Sequence, residues 1–345
     1  MKNVLVFGAT GGTGHYLIEY LLENLDKDEY KVIASGRRET ADFKNVEYIS
    51  VDIEKKEDFE KLPKDVYAVI ELAGLMPARM KGYNPYRYID VNITGTLNIL
   101  EYCRENHADR ILFTQSFGDI KDHSEQNPLL TVDLPRKFSF TSDHTIYVMS
   151  KNFAVDMIEN YHQMYGLKRF IFRLPTIYLY EKNDKYYVDG VEHKIGYRTL
   201  IDKAIVGKTI EVWGDPNRVK DMVYVKDFCQ MLCKAVLVDR AEGYYNVGTG
   251  VGTSLLDQVK GMVEVFGTEG HKSEIRFAPE KPNAPQYIMD ITPAREELGY
   301  EPKYSYKEWL EDFKLEKIRG GVLTKSGLSL LILAYHTSPD WRLAA

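Results

Sequence analysis

Three observations predict an α/β fold for this 345-residue chain, a doubly wound parallel sheet with a smaller, discontinuous α/β lobe. A buried strand at the very start runs straight into a glycine-rich turn and then a helix. Short apolar runs alternate with helical patterns through the first half, the signature of parallel strands joined by crossover helices. The second half carries strands and helices that do not continue that alternation. These features divide the chain into residues 1–174, to which later segments return, a lobe mainly within 175–315, and a tail, 320–345.

Val4-Leu5-Val6-Phe7 is a continuous run of β-formers, and Gly8-Ala9-Thr10-Gly11-Gly12-Thr13-Gly14 follows without a linker. From His15 to Leu25 apolar residues fall at helical spacing, at Tyr16, Leu17, Tyr20, Leu21 and Leu25. Strand, turn and helix in that order aim backbone N–H groups and the positive helix end at a pyrophosphate. Gly8, Thr10, Gly11, Gly12, Thr13 and Gly14 are therefore expected to cradle a dinucleotide, against the plainer reading of a tight strand-to-helix turn.

Lys31 to Ser35 reads as the second strand and ends in Gly36-Arg37-Arg38. Where nicotinamide folds carry an acidic residue for the adenosine ribose, this chain has Gly36. The missing carboxylate removes a repulsion, and Arg37 and Arg38 offer bidentate donors to a 2′-phosphate, so NADP is the expected cofactor and NAD the alternative. Val46–Val51 closes on Asp52-Ile53, and Val66–Leu72 on Ala73-Gly74. Both are strand C-termini, where open parallel sheets bind ligands. Asp52 either accepts from the adenine amino group or caps a helix over Glu54–Lys61. A helix from Asp90 to Leu100 carries Asn92, and the strand Ile111–Ser116 ends in Thr114 and Ser116. In the second half, Ile195–Val206 reads as a helix, and Thr209–Trp213 and Met222–Val225 as strands.

Composition narrows the partners. With 44% hydrophobic and 28% charged residues and a net charge of −6, the chain is an ordinary globular one, without the basic cluster a nucleic-acid surface needs. Leu328 to Ala334 is apolar but far short of the ~20 residues that span a bilayer. No membrane and no nucleic acid are expected, and a first strand beginning almost at Met1 points to a cytoplasmic protein. Cys103, Cys229 and Cys233 suit neither a disulfide framework nor a zinc site, so no metal is assigned. Cys229 and Cys233, four apart, read as two buried thiols on one helix face.

Tyr147-Val148-Met149-Ser150-Lys151 opens an amphipathic helix that runs through Tyr161. Tyr147 and Lys151 share one face, about one turn apart. A phenol with a pKa of about 10 is no base at neutral pH, but a fixed ammonium and a cationic nicotinamide favour the phenolate. Ser116 would hold a substrate hydroxyl or carbonyl against Tyr147, and Lys151 the nicotinamide ribose. Alone the Y-x-x-x-K spacing means little; after a strand-terminal serine and the glycine cradle it points to hydride-transfer chemistry.

With these residues in place the chain resembles the extended short-chain dehydrogenases/reductases, in particular the NAD-dependent epimerase/dehydratase group that acts on nucleotide sugars. The resemblance spans Met1 to about Phe313 and adds Arg173–Tyr178, Lys220–Asp227, Tyr245–Gly250 and Arg295–Pro302 to the motifs above. It implies a Rossmann-type sheet and Ser116, Tyr147 and Lys151 as a catalytic triad. It also implies cofactor contacts at Asp52, Ile53, Leu72, Ala73, Gly74, Asn92 and Thr114, and substrate contacts at Met76, Ser116, Thr176, Lys220 and Lys281. A homodimer paired through the helices of Asn92 and Tyr147 is implied too, with Phe153, Met157 and Tyr161 forming an apolar face. Phe117-Gly118 stand where the family's dehydratases carry an acid pair after the serine, which leaves reduction of a keto-sugar or 4-epimerisation. Thr176, Lys220 and Lys281 replace the Asn and Arg that commonly hold the nucleotide diphosphate, so an NADPH reductase of a non-sugar carbonyl stands as the alternative. Tyr186–His193 has an Asp-Gly hairpin signature where the family has a short loop.

Overall fold

The computed structural model describes residues 1–142, 144–188, 190–268 and 270–320. The 321–345 part of the predicted tail, including Leu328–Ala334, lies outside them. The core is a seven-stranded sheet of β1 (Lys2–Phe7), β2 (Tyr30–Gly36), β3 (Glu47–Ser50), β4 (Ala68–Glu71), β5 (Arg110–Ser116), β6 (Lys168–Leu174) and β7 (Glu242–Asn246), in the order β7-β6-β5-β4-β1-β2-β3. Every neighbouring pair is parallel, so all seven strands present their C-terminal ends along one edge.

Both faces are covered, which is why the strands read as unbroken apolar runs. Val4, Val6, Ala68, Ile70, Leu112, Phe170 and Phe172 point to one side, where α1 (Gly12–Asn24) brings Leu17 and Leu21. Leu5, Phe7, Val69, Ile111, Phe113 and Ile171 point to the other, against Ile99 and Cys103 of α2 (Gly95–Glu105) and Ala154 and Ile158 of α3 (Thr145–Tyr165). α4 (Val225–Leu237) lies on the α1 side and buries Cys229 and Cys233, the two thiols expected there. Among the described residues no helix is long and apolar enough to cross a membrane.

Several boundaries differ from the sequence reading. α1 starts inside the glycine turn, at Gly12. The helix expected over Glu54–Lys61 is a 3-10 turn from Lys56 to Lys61, and that over Asp90–Leu100 begins as a π turn, Ile89–Thr94, before α2 takes over. Met222–Val225 is not a strand: the strand is Val219–Asp221, and Tyr224 already flanks α4. Asp221 ends it because its buried carboxylate turns inward to accept from the N–H groups of Thr249, Gly250 and Met289. The hairpin forms from Lys185–Val188 and Val191–Lys194, and an added Cβ at Gly190 would stand 2.9 Å from Gly82 Cα. It therefore folds onto the loop that follows β4.

Candidate active site

At the β1 C-terminus the chain needs residues without side chains. Gly8 has φ +83°, and a Cβ there would stand 2.6 Å from the Ala73 nitrogen; at Gly14 it would stand 2.4 Å from the Gly8 oxygen. These absences bring the turn against Ala73-Gly74 at the end of β4 and seat α1 directly on it. No side chain caps α1 and its first turn holds no acid, so its N–H groups suit an anion. Thr10 stands where Gly36 brings β2 close, a Cβ on Gly36 being 2.9 Å from the Thr10 Oγ1. The arrangement fits a pyrophosphate across Gly11–Gly14, with adenosine toward β2.

Around that end the Tyr48 hydroxyl has two acceptors within reach for its one proton, the carbonyls of Gly36 (2.8 Å) and Arg38 (2.7 Å), and its ring stacks on Phe43, which meets His15. The Arg37 and Arg38 side chains are exposed. Burial and the Arg38 charge both push the His15 pKa down. Asp52 makes a local turn, its Oδ1 accepting from the Glu54 N–H at 3.3 Å, and does not cap the 3-10 turn, whose N-cap is Lys55.

The middle of the strand-end edge is formed where β4 and β5 end. Leu72 donates its N–H to Phe7, and Thr114 donates to the Glu71 carbonyl, tying the three strands together there. A Cβ at Gly74 would stand 3.5 Å from Asn92 Oδ1 and 3.9 Å from Lys151 Nζ. Asn92 uses its whole amide to hold this turn: Nδ2 donates to the Leu75 carbonyl and to Ser150 Oγ, each at 3.0 Å, and Oδ1 accepts from the Leu75 N–H at 2.8 Å. It thus positions Gly74-Leu75 against α3, and the local π turn aims it there. Ile53, buried, packs where Gly95 leaves room for its side chain.

Ser116 and Tyr147 come together across β5 and α3. Burial pushes the Tyr147 phenol up to about 12, while the Ser116 hydroxyl beside it acts in the opposite direction. Lys151 is buried one turn further on, its ammonium 3.9 Å from the centroid of the Phe113 ring. Burial lowers the Lys151 pKa and a neighbouring carboxylate, Glu71, raises it. The Asp119 carboxylate, three residues beyond Ser116, is bound by the buried Arg173 guanidinium at 3.0 and 3.2 Å and so does not serve as a free acid beside the serine.

The residues expected on the substrate side separate into two groups. Lys220 Nζ stands 5.9 Å from the Tyr178 ring centroid and 5.5 Å from that of Tyr287, and the Thr176 hydroxyl is near the Tyr287 phenol. Phe117 packs on Tyr287 at 4.8 Å between centroids, which joins this cluster to the Ser116 turn. Lys281 instead sits over Trp213 at 5.6 Å, and Met76 is exposed on the loop after β4. Tyr287, buried in this cluster, was not singled out in the sequence. Glu181 was missed as well. It pairs with Arg79, and its Oε2 lies 3.0 Å from where a Cβ on Gly12 would be, over the glycine turn.

The profile of the NAD dependent epimerase/dehydratase family matches residues 4–248. A putative UDP-glucose 4-epimerase of Methanocaldococcus jannaschii is 29% identical over 313 residues, covering 89% of this chain and 96% of its own. UDP-glucose 4-epimerase of Thermotoga maritima, solved with UDP-glucose, shares the fold with a TM-score of 0.75 at 23% identity, over 93% of this chain and 100% of its own. The Thermus thermophilus UDP-glucose 4-epimerase, solved with NAD, superposes with a TM-score of 0.70 at 23% identity, over 92% and 99%. With a glycine cradle, an all-parallel sheet and a family match across most of its length, the chain belongs to the NAD dependent epimerase/dehydratase family and is an enzyme of the extended short-chain dehydrogenase/reductase type.

Proposed function

We propose that this protein is a 4-epimerase of a nucleotide sugar, working through Ser116, Tyr147 and Lys151 with a nicotinamide dinucleotide held by Gly8–Gly14 and Ala73-Gly74. The observation that supports the reading is the influence of the Ser116 hydroxyl on the Tyr147 phenol, with Lys151 Nζ 3.9 Å from where a Cβ on Gly74 would stand. Held by Gly8–Gly14 and Ala73-Gly74, a nicotinamide dinucleotide would supply reversible hydride transfer. Tyr147 would accept the proton of the sugar hydroxyl as the hydride leaves, and Ser116 would hold that hydroxyl in line. Lys151 would supply positive charge to the phenolate and a donor to the ribose. Elimination of water needs a further acid and base, and the two residues after Ser116 are Phe117 and Gly118. Lys220, Thr176 and Tyr287 are proposed to face the substrate.

Incubation with UDP-glucose, UDP-galactose and their N-acetyl and uronate counterparts tests this, product sugars being resolved by chromatography. Interconversion of one pair is expected, with Tyr147→Phe lowering the rate by about 10²–10⁴-fold and leaving cofactor binding in place. Turnover at the full rate in that variant would exclude Tyr147 as the base.

A second reading, net reduction by NADPH, is favoured by one observation: the exposed Arg37 and Arg38 follow Gly36, where a ribose-binding carboxylate would stand. Losing one guanidinium from a 2′-phosphate costs about 1.5–3 kcal/mol, or roughly ten- to a hundredfold in affinity. Arg37→Ala should then weaken NADPH and leave NADH nearly unchanged. Purified protein carrying stoichiometric NAD would exclude this reading.

A homodimer is proposed through α2 and α3. Tyr161, on the apolar face that the sequence left open between core and interface, is buried with its hydroxyl on Glu101. The exposed apolar residues of the two helices are Leu97, Met149, Phe153, Met164 and Tyr165.

A further inference from the structure

β4 ends in a residue that does not suit its surroundings. Glu71 follows Ala68-Val69-Ile70 in a strand buried on both faces, and only 1% of its surface is exposed. Its side chain lies on the Val69 face, under α2 and α3. Oε1 is 2.7 Å from Thr96 Oγ1 of α2, and Oε2 has no hydrogen-bond partner among the described residues. An orphaned carboxylate oxygen in such a place is costly unless a charge offsets it.

We propose that Glu71 is the positioning residue that keeps the Lys151 side chain an ammonium. The inference rests on Lys151 being the cofactor-side lysine of the proposed function. β4 and β5 pair in register so that Glu71 stands directly beside Phe113, and the Lys151 ammonium rests over the Phe113 ring. Carboxyl, ring and ammonium thus occupy one enclosed space between the sheet and α3.

The groups facing Glu71 are few. Lys151 comes from α3, and Cys103 comes from α2 as a buried thiol whose pKa is pushed up, so it carries no charge. Thr96 is neutral, and its one proton has two acceptors within reach, Glu71 Oε1 at 2.7 Å and the Asn92 carbonyl at 2.9 Å. When Thr96 donates to Glu71, Oε1 of the anionic carboxylate is satisfied and Oε2 is left to a neighbouring charge. When it donates to Asn92, Glu71 itself must carry a proton and donate to Thr96. The hydroxyl can therefore serve either charge state of the carboxyl without any heavy atom moving. Burial drives Glu71 up and Lys151 down, and each is pulled back by the other's charge. Removing the carboxylate leaves burial of Lys151 unopposed.

The test uses the cofactor-free full chain with ¹⁵Nζ-labelled lysine, the Lys151 resonance being assigned by its loss in Lys151→Met. In Glu71→Gln, which keeps an acceptor for Thr96, the ammonium signal should give way to the amine signal on the order of one pH unit lower than in the wild type. Glu71→Asp should restore most of the difference. Superimposable wild-type and Gln titrations would overturn the proposal. Should the Gln variant not fold, the wild-type titration decides. The Lys151 resonance must then show a second inflection on acidification, where Glu71 takes up its proton, and a single inflection refutes the pairing. Neither measurement needs a sugar nucleotide, so a protein inactive on every sugar could still show the pair, and a 4-epimerase could still lack it. Where turnover is measurable, Glu71→Gln should move only the basic limb of the rate profile, to lower pH. A merely structural role would lower the rate at all pH values.

Discussion

Replacing Gly8 with alanine separates the two demands the structure makes at the cofactor turn. Its φ of +83° strains any other residue, and its Cβ would stand 2.6 Å from the Ala73 nitrogen and 2.8 Å from the Leu72 carbonyl carbon, both backbone atoms just past the end of β4. Gly166 supplies the comparison: it ends α3 with φ +71° and has nothing within 4 Å of an added Cβ. Gly166→Ala therefore measures strain alone, about 1 kcal/mol. Gly8→Ala adds overpacking against β4, about 1–3 kcal/mol more. A 345-residue chain unfolds with an entropy of about 0.7 kcal/mol/K, so the expected falls in Tm are about 1–2 °C for Gly166→Ala and about 3–6 °C for Gly8→Ala. Differential scanning calorimetry with and without NAD reads both. The NAD-induced rise in Tm should persist in Gly166→Ala and shrink in Gly8→Ala, because the clash pushes the turn away from Ala73-Gly74. Equal losses of stability with an unchanged NAD response in both would refute the close-approach argument.

Asp119→Ala should cost about 3–5 kcal/mol, since it leaves the buried Arg173 guanidinium without its carboxylate; thermal unfolding checks it. The Tyr147 phenol, pushed up to about 12 by burial, favours the fold fully below the ordinary phenol pKa and loses that contribution as pH rises through its folded value. A difference titration at 295 nm between wild type and Tyr147→Phe, without cofactor, should accordingly show this phenolate only near pH 12, and ionisation near 10 would contradict the burial. Glu181→Ala, which clears a carboxylate from above Gly12, should tighten NAD several-fold by calorimetry, whereas weaker binding would mean the Arg79–Glu181 pair supports the cofactor. Phe153→Asp on the exposed face of α3 should yield a monomer by light scattering with Tm almost unchanged, and a large loss of Tm would place Phe153 in the core.

The sheet was legible because it is buried on both sides: Val4–Phe7 and Ile111–Phe113 could satisfy no amphipathic pattern, and the glycines between β1 and α1 had a steric reason to be there. The positions of Ser116 at a strand end and of Tyr147 in the first turn of a helix were legible from the apolar run before one and the helical spacing after the other. Two things were not. Met222–Val225 looks like a strand by composition, yet the carboxylate of Asp221 draws the chain inward first, a tertiary hydrogen-bonding demand that no local pattern carries. Tyr287 and Glu181 reach the site from distant segments, and only the folded chain brings them there. Glu71 did carry a signal, a lone carboxylate in an apolar strand that ought to exclude one.

The last strand of the sheet bears on how such a chain is made. β7 pairs with β6 along Arg169–Arg173, yet 67 residues separate the end of β6 from the start of β7. While the chain is being synthesised, β6 must therefore wait as an unpaired edge until residue 246 has emerged, with Phe170 and Phe172 on its face and α4 not yet fully in place. Unprotected edges of that kind recruit other strands. A fragment stopped after Leu174 would look like a finished nucleotide-binding unit in sequence and would behave as an aggregating one. The segment between β6 and β7 is in that sense also a folding requirement of the sheet, because it leads to the strand that covers β6.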